Sequence, residues 1–585
     1  MALKGKGKQN IWDEMGRIKE ELVNQYESKT PISKKHFEEA KNWLPGGGTR
    51  NLAHFYPYPF FVVKGEGCYL YDVDGNEYID VLNSMTVNIH GHAHPEIVKV
   101  LQKQASEGTA HAAPMELQYK LAKIICERTP SIEIMRFCNS GTEATMFAIR
   151  AAREYTKKDK IIKTEGGYHG SHDYVEVNIT PNLTAGDLPI PTVEKGVPKT
   201  ILQDVFIVPY NDLEAAEKIM KKHHKKIAAM ILEPIMGSGG GAIATKEYLQ
   251  GLRDLTNNYN ILLIFDEVIT FRISTGGVQK YYGVTPDLTA LGKTIGGGLP
   301  VGAFGGKHEI IDQFNPTKKD FITHSGTFSG NAMTMVAGLK AMELYNQAEV
   351  ERLTKLGDRL KEGLRRVLNE LDIKGQVNGL QSLIYVYLFD EPIIDGRQTV
   401  FKLIPTLNFS KYLTLALAIN GIYAVSRGIT AFILSTPMNE EVIDEIISRY
   451  KKAMLMVLPL YNQSKEYEGF ASIIFAMLKS LNNNPEFAQK YKQDNYSFLL
   501  VAEEDPKAIK LRIQDGFIKF EQFDNSKMNV KQAKKECDGA IITSTATFIG
   551  FGSGKVNPIK AILTRKLKIK GLKYIQLFTK YFKLL

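Results

Sequence analysis

The sequence predicts an α/β protein: a mostly parallel sheet with helices on both faces, a smaller second lobe, and a separate small α+β unit at the C-terminal end. Three observations predict it. From about residue 95 to 320, helical stretches alternate with short apolar runs: "IEIMRFCN", "KIIKTEG", "IAAMILEP", "ILLIFDEV" and "DLTALGK". The 585 residues are too many for one hydrophobic core. After "VLPLYNQSKEYEG" the pattern changes to period-two alternation in "YSFLLVAEEDPKAIKLRIQDGFIKFEQ", as antiparallel strands require.

In order along the chain, residues 1–40 are charged and helical in pattern and end at the breaker run "LPGGGTR". The segments "FFVVKGEG" and "CYLYDVDGNEYIDV", with Gly-Glu and Asp-Gly turns, predict a small meander. The alternating stretch of about 95–325 forms the large domain, and residues 41–94 and 331–460 the small lobe. A boundary is expected near 460–467, followed by an amphipathic helix at 468–481 and the small unit at 466–585.

Composition bounds the function. Hydrophobic content of 44% with 24% charged residues is that of soluble globular protein. Cys68, Cys126, Cys138 and Cys537 are scattered with no CxxC pair, which argues against a zinc site or a disulfide framework and suits a reducing cytoplasm. No metal site is expected. The start lacks an apolar signal core, and no uncharged apolar run approaches the roughly 20 residues that span a bilayer. The net charge of +10 is uneven: from Lys465 onward there are 21 Lys and Arg against 12 Asp and Glu. A basic unit of this kind suits nucleic acid, an anionic membrane surface or only a solvated face, and nucleic acid is not expected as a partner.

"LGKTIGGG" at 291–298 decides the chemistry. A phosphate-cradling nucleotide loop needs a glycine five positions before its Gly-Lys. Counting back from Gly292 gives Asp287, and the glycines follow the lysine instead. The other reading is a lysine held at a strand end to bond a cofactor. It requires a phosphate site, a charge partner for a ring nitrogen and a stacking group. In "FCNSGTEATMFAIRAARE" a strand ends at Asn139, and Ser140, Gly141 and Thr142 open a helix whose N–H groups favour phosphate or simply cap it. "ILLIFDEV" carries Asp266 at the end of a buried strand, where ligands bind in open α/β sheets. Such a carboxylate needs a cation, either a protonated pyridine or a structural arginine. "GGYHGS" offers Tyr168 after another strand.

The order and spacing of these segments, with "ILEPIMGSGGG", "DLTALGKTIGGGLPVGAFGG" and "HSGTFSGNAMTMVAG", resemble the class III aminotransferases over residues about 30–455. The resemblance implies the pyridoxal-phosphate transferase fold type I and pyridoxal 5'-phosphate as cofactor. It implies Lys293 as the Schiff-base lysine and Asp266 as partner of the pyridinium nitrogen. Ser140, Gly141 and Thr142 then bind phosphate, Tyr168 and Val268 flank the ring, and Thr327 reaches a phosphate across a homodimer interface.

Within that family two resemblances compete. "FEEAKNWLPGG", "YDVDGNEYID", "GHAHPEI" and "RTPSIEIMRFCNSGTEAT" look like glutamate-1-semialdehyde aminomutases, which move an amino group within one molecule. Ala53 stands where that pattern has an arginine, Ser238 where it has an asparagine, and "SRGITAF" where it has an acidic stretch. "PGGGTRNLAHFYPYPF" and "VSRGITAFILSTPM" look more like aminotransferases of β-amino acids, which implies Arg50 and Arg427 as substrate-carboxylate ligands beside an amino donor and a keto acceptor. A reading of another class is an inactive lipid- or cofactor-binding protein. In the last unit, "AIKLRIQDGFIKFEQ", "CDGAIITSTATFIGFGSGKVNP" and "IKAILTRKLKIKG" resemble the sterol-carrier-protein type domain. That implies a fatty-acyl or other lipid ligand, with Phe548, Ile549, Phe551 and Ile562 as tunnel walls or plain core.

Overall fold

A computed structural model describes residues 8–181, 189–237, 239–552, 567–571 and 580. Ser238, Ile562, the "GKVNP" segment and the side chain of Phe551 lie outside the described residues. The meander forms as β1 (Val62–Glu66), β2 (Tyr69–Asp72) and β3 (Glu77–Asp80), all antiparallel. The large sheet comprises β4 (Ile134–Cys138), β5 (Lys160–Thr164), β6 (Val205–Val208), β7 (Ile227–Leu232), β8 (Leu262–Asp266), β9 (Leu288–Gly292) and β10 (Gly302–Gly306). Its spatial order is β4-β10-β9-β8-β7-β5-β6. Only β10 runs against the others, pairing antiparallel with both β4 and β9. All six residues of β7 are buried, so an unbroken apolar run was required there rather than an alternating one.

Four further strands complete the small lobe: β11 (Gln376–Leu380), β12 (Leu383–Tyr387), β13 (Ile422–Tyr423) and β14 (Ile429–Ile433). The short β13 joins the meander parallel to β3, and β12 pairs with both β11 and β14. The C-terminal unit holds β15 (Asn495–Ala502), β16 (Lys507–Gln514), β17 (Phe517–Asp524), β18 (Gly539–Thr543) and β19 (Leu567–Lys570), in the order β17-β16-β15-β18-β19. As the alternation required, β15, β16 and β17 are antiparallel neighbours, while β18 adds parallel to β15.

Five helices matter below: α1 (Lys8–Lys29), α2 (Gly141–Thr156), α3 (Gly396–Ile419), α4 (Glu440–Ser464) and α5 (Gly469–Leu478). Met15, Leu22 and Tyr26 of α1 join the core of the small lobe. The C-terminal unit has its own core, in which Phe470, Phe475, Phe498, Leu511 and Phe548 pack together.

The helix expected to be amphipathic is not. Residues Phe470 to Ala476 and Leu478 of α5 are all buried, because the helix lies between α3 on one side and β16 on the other. The face that a free-standing unit would turn to water instead meets the preceding unit. It also ends earlier than expected, at Leu478, and continues as a 3-10 turn over Lys479–Asn483.

Candidate active site

Five parallel strands end at one rim of the large sheet, and each delivers a polar group there. The strand β4 leads to Asn139 and Ser140, β5 to Glu165 and then Tyr168, β7 to Glu233, β8 ends in Asp266, and β9 leads to Lys293. This is the rim where open α/β sheets bind ligands.

At the start of α2, Ser140 is the N-cap and its Oγ accepts from Glu143 N at 3.2 Å. The next N–H groups point away from the helix without intrahelical partners. Side chains close around them: a Cβ on Gly141 would lie 3.1 Å from both methyls of Val268, and one on Gly292 would lie 3.3 Å from Val268 Cγ1 and 3.7 Å from Gly141 N. Gly141, Val268 and the residue before Lys293 therefore converge. Thr142 Oγ1 accepts from Ser171 N at 3.2 Å, and Gly170 abuts Thr142 so closely that a Cβ would sit 2.4 Å from its hydroxyl. The turn carrying Tyr168 is thus fastened to the start of α2.

Asp266 is 4% exposed, and no arginine pairs with it among the described residues. Its Oδ1 accepts from Val268 N at 3.1 Å and its Oδ2 from His169 Nδ1 at 2.9 Å. Burial pushes the His169 pKa down to about 3, so the ring is neutral, with Nδ1–H as donor. Burial also drives the Asp266 pKa up. A carboxylate fixed at a strand end with only neutral donors lacks the cation it needs. Glu233, equally buried, accepts from Tyr168 N at 2.8 Å and Gly237 N at 3.0 Å, and burial drives its pKa up as well.

Lys293 opens a 3-10 turn with φ of +51°, a left-handed conformation seldom taken by a lysine and often kept at functional sites. Burial lowers its pKa to about 8, opposed by the charges of Glu233 and Asp266 and reinforced by that of Arg272. Arg272 is fully buried. It donates to Ser382 Oγ at 3.1 Å, Thr86 O at 3.3 Å and Leu434 O, with no carboxylate partner among the described residues.

Tyr168 is 40% exposed, so part of its side chain is accessible to a ligand. Thr327 is exposed, flanked by Phe328 at 60% exposure, while its neighbours Gly326 and Ser329 touch Asn139. Arg50 and Arg427, 377 positions apart, are brought together. Arg427 Nη2 donates to Asn51 O at 2.9 Å, and Arg50 Nη1 donates to Ser84 Oγ at 3.3 Å. Both are exposed and neither has an acidic partner among the described residues.

Sequence reasoning missed His169, Glu233 and Arg272. His169 sits inside a quoted motif, and its position beside an aromatic after a strand was the available signal. Glu233 follows the apolar run of β7 inside the quoted "IAAMILEP", a signal of the kind used for Asp266, whereas nothing local marks Arg272, whose hydrogen-bond partners are remote in sequence.

The group set fits pyridoxal phosphate: a buried carboxylate lacking a cation, an amine of lowered pKa, N–H groups at a helix start without partners among the described residues, and a part-exposed aromatic. Among the described residues no cluster could hold a metal ion, and no helix is long and apolar enough to cross a membrane.

Comparison with known proteins agrees with this geometry. Residues 52–454 match the family model "Aminotransferase class-III", and residues 480–585 match "SCP-2 sterol transfer family". A glutamate-1-semialdehyde 2,1-aminomutase of Sulfurihydrogenibium azorense is 41% identical, covering 72% of this chain and 98% of that protein. Among solved structures, an omega-transaminase from Sphaerobacter thermophilus is 40% identical with a TM-score of 0.69, covering 72% of this chain and 97% of that one. A beta-phenylalanine aminotransferase from Variovorax paradoxus is 30% identical with a TM-score of 0.67, covering 75% and 98%.

Proposed function

This chain belongs to the class III aminotransferases and ends in an SCP-2 sterol transfer unit, and from that premise we propose that it is a transaminase. It moves an amino group from a carboxylate-bearing amino acid, a β-amino acid included, to a keto acid. One observation carries the reading. Arg50 and Arg427 lie together, exposed, without a carboxylate of the protein to neutralise them. A guanidinium offers paired N–H donors that match a carboxylate.

Pyridoxal phosphate, when bound, supplies an aldehyde for amine exchange and a ring that accepts electrons from the substrate carbon. Gly141 and Thr142 hold its phosphate at the start of α2, with Ser140 shaping the turn. Asp266 stays ionised against the ring nitrogen and so keeps that nitrogen protonated, while His169 fixes the carboxylate's orientation. Tyr168 and Val268 enclose the ring between them, and Glu233 holds the Tyr168 turn through its backbone. Lys293 would hold the cofactor through its aldehyde, and as a free amine it would accept a proton from the substrate carbon and give it back, as general base and then general acid. Burial, which lowers its pKa, favours the neutral amine that this role needs. Thr327 completes the phosphate site of a second copy, a reading supported by its exposure beside an exposed phenylalanine.

The SCP-2 unit serves as a lipid-binding appendage, and Phe548, buried in its core, packs edge-on against Phe470. A second reading, intramolecular amino transfer as in an aminomutase, is favoured by the relative that is 41% identical. Against it stands Ala53, half-buried where the aminomutase pattern has its arginine.

The test is a panel of α- and β-amino acids with 2-oxoglutarate. Stoichiometric glutamate release supports transfer, and isomerisation without an acceptor overturns it. Arg427→Ala should raise KM for carboxylate-bearing donors about tenfold or more. An amine donor lacking a carboxylate should be unaffected. Equal effects on both donors would sink the role assigned to Arg427.

A further inference from the structure

Away from the catalytic rim, three lysines from distant parts of the chain meet at one junction. Lys19 lies on α1, Lys411 on α3, and Lys479 at the end of α5, where the C-terminal unit begins its 3-10 turn. They descend from surface to interior: Lys411 is exposed, Lys19 half-buried and Lys479 only 7% exposed. Aromatic rings line the descent. Lys411 Nζ stands 4.8 Å from the centroid of Tyr56 and 5.1 Å from that of Tyr412, Lys19 Nζ stands 5.9 Å from the same Tyr412, and Lys479 Nζ stands 5.3 Å from Phe475.

None of the three has an ion pair or a side-chain hydrogen bond among the described residues. Ring faces offset part of an ammonium's lost hydration. They accept no conventional hydrogen bond, so the buried Lys479 ammonium keeps N–H donors without a protein acceptor among the described residues, while water reaches Lys411. Gathering like charges in a half-buried place raises the free energy further unless a counter-charge joins them. Burial and the neighbouring lysines weaken proton binding accordingly: the Lys479 amine is pushed down to about 8, with a further contribution from Lys19. Lys19 is lowered by burial and by Lys411. The C-terminal end of α5 contributes a partial negative charge near Lys479, which is worth less than one full counter-charge.

We propose that the Lys19–Lys411–Lys479 junction is a binding site for a phosphate monoester anion, which would clip α1, α3 and the C-terminal unit together. Its charge of nearly two and its several acceptor oxygens match Lys19 and Lys411, which share the Tyr412 ring, together with Lys479 on the helix that α3 also contacts. Its source is either a free phosphate-bearing metabolite or the headgroup of a lipid such as phosphatidic acid.

The test uses the full chain loaded with pyridoxal phosphate, so that the cofactor's own phosphate site is filled. Calorimetric titration with inorganic phosphate, against chloride at equal ionic strength, reads the first source. Co-sedimentation with phosphatidylcholine vesicles, with and without phosphatidic acid, reads the second. Saturable binding in either arm that falls at least about tenfold in the double variant Lys19→Gln, Lys411→Gln supports the site. That variant should unfold at the same or a higher temperature than the parent in chloride, since it loses like-charge repulsion. Binding in neither arm, or binding undiminished in the variant, overturns the proposal. A variant less stable than the parent in chloride also overturns it, because the protein itself would then be satisfying those lysines.

Discussion

Lys293 is the residue on which turnover depends most steeply, and its backbone conformation sharpens the test. Lys293→Ala should leave the fold intact yet lose several orders of magnitude in turnover, and borohydride treatment should attach no cofactor to the chain. Asp266→Asn should still bind cofactor while losing rate by several orders of magnitude, as the ring nitrogen loses its ionic partner. The same substitution should change how stability varies with pH in cofactor-free protein. A carboxyl whose folded pKa is raised holds its proton in the fold longer than in the unfolded chain. Its cost is therefore absent below the ordinary carboxylate range of about 4 and grows as pH rises above it. Relative to Asp266→Asn, the parent should lose melting temperature from about pH 4 towards neutrality, and adding cofactor should restore it. Lys293 and Asp266 were legible because each ends an apolar run, so strand-end position and residue type coincide. Glu233 also ends an apolar run, but its part, holding the Tyr168 turn, and that of His169, fixing Asp266, consist of partners distant in sequence.

Elements were legible where periodicity had one cause and obscure where it had two. The five named apolar runs all became strands, but β6 and β10 were not foreseen. The sequence of β10, "GAFGG", reads as loop, yet its glycines answer to packing: a Cβ on Gly302 would lie 2.0 Å from Ser140 O, and one on Gly306 2.3 Å from Asp287 O. A less expected element lies beside Arg50. Asn83, Ser84, Met85 and Thr86 have φ of +53°, +47°, +59° and +74°, a full turn of left-handed backbone built without glycine. Each such residue costs about 1 kcal/mol or more. Asp80 Oδ1 holds the turn by accepting from Leu82 N and Asn83 N at 3.0 and 2.8 Å, and Arg272 holds its far end at Thr86 O. Arg272→Met should therefore cost about 2 kcal/mol in denaturant unfolding, since it leaves the Thr86 carbonyl without its donor and Leu434 O with only the long bond from Asn83 Nδ2. Hydrogen exchange should speed up first at residues 82–88 while the large sheet keeps its protection. Uniform loss of protection would mean that Arg272 supports the core generally and not this turn.

At the scale of the whole molecule, the two units share α5. It contributes Phe470, Ile474 and Phe475 to the C-terminal core while its remaining surface packs on α3. Nicking the chain within 465–468, after an engineered protease site is placed there, should leave two pieces that co-purify, because the contact surface outlasts the covalent link. Separation on gel filtration would show the seam to be weak. Burial on both sides of one helix has a further consequence for synthesis. The catalytic unit leaves the ribosome first and can fold as it emerges. Until Gly469–Leu478 clears the exit tunnel, the outer face of α3 stands bare. Since α5 in turn needs β16 behind it, the nascent chain keeps this face of α3 uncovered until residues 507–514 have been translated.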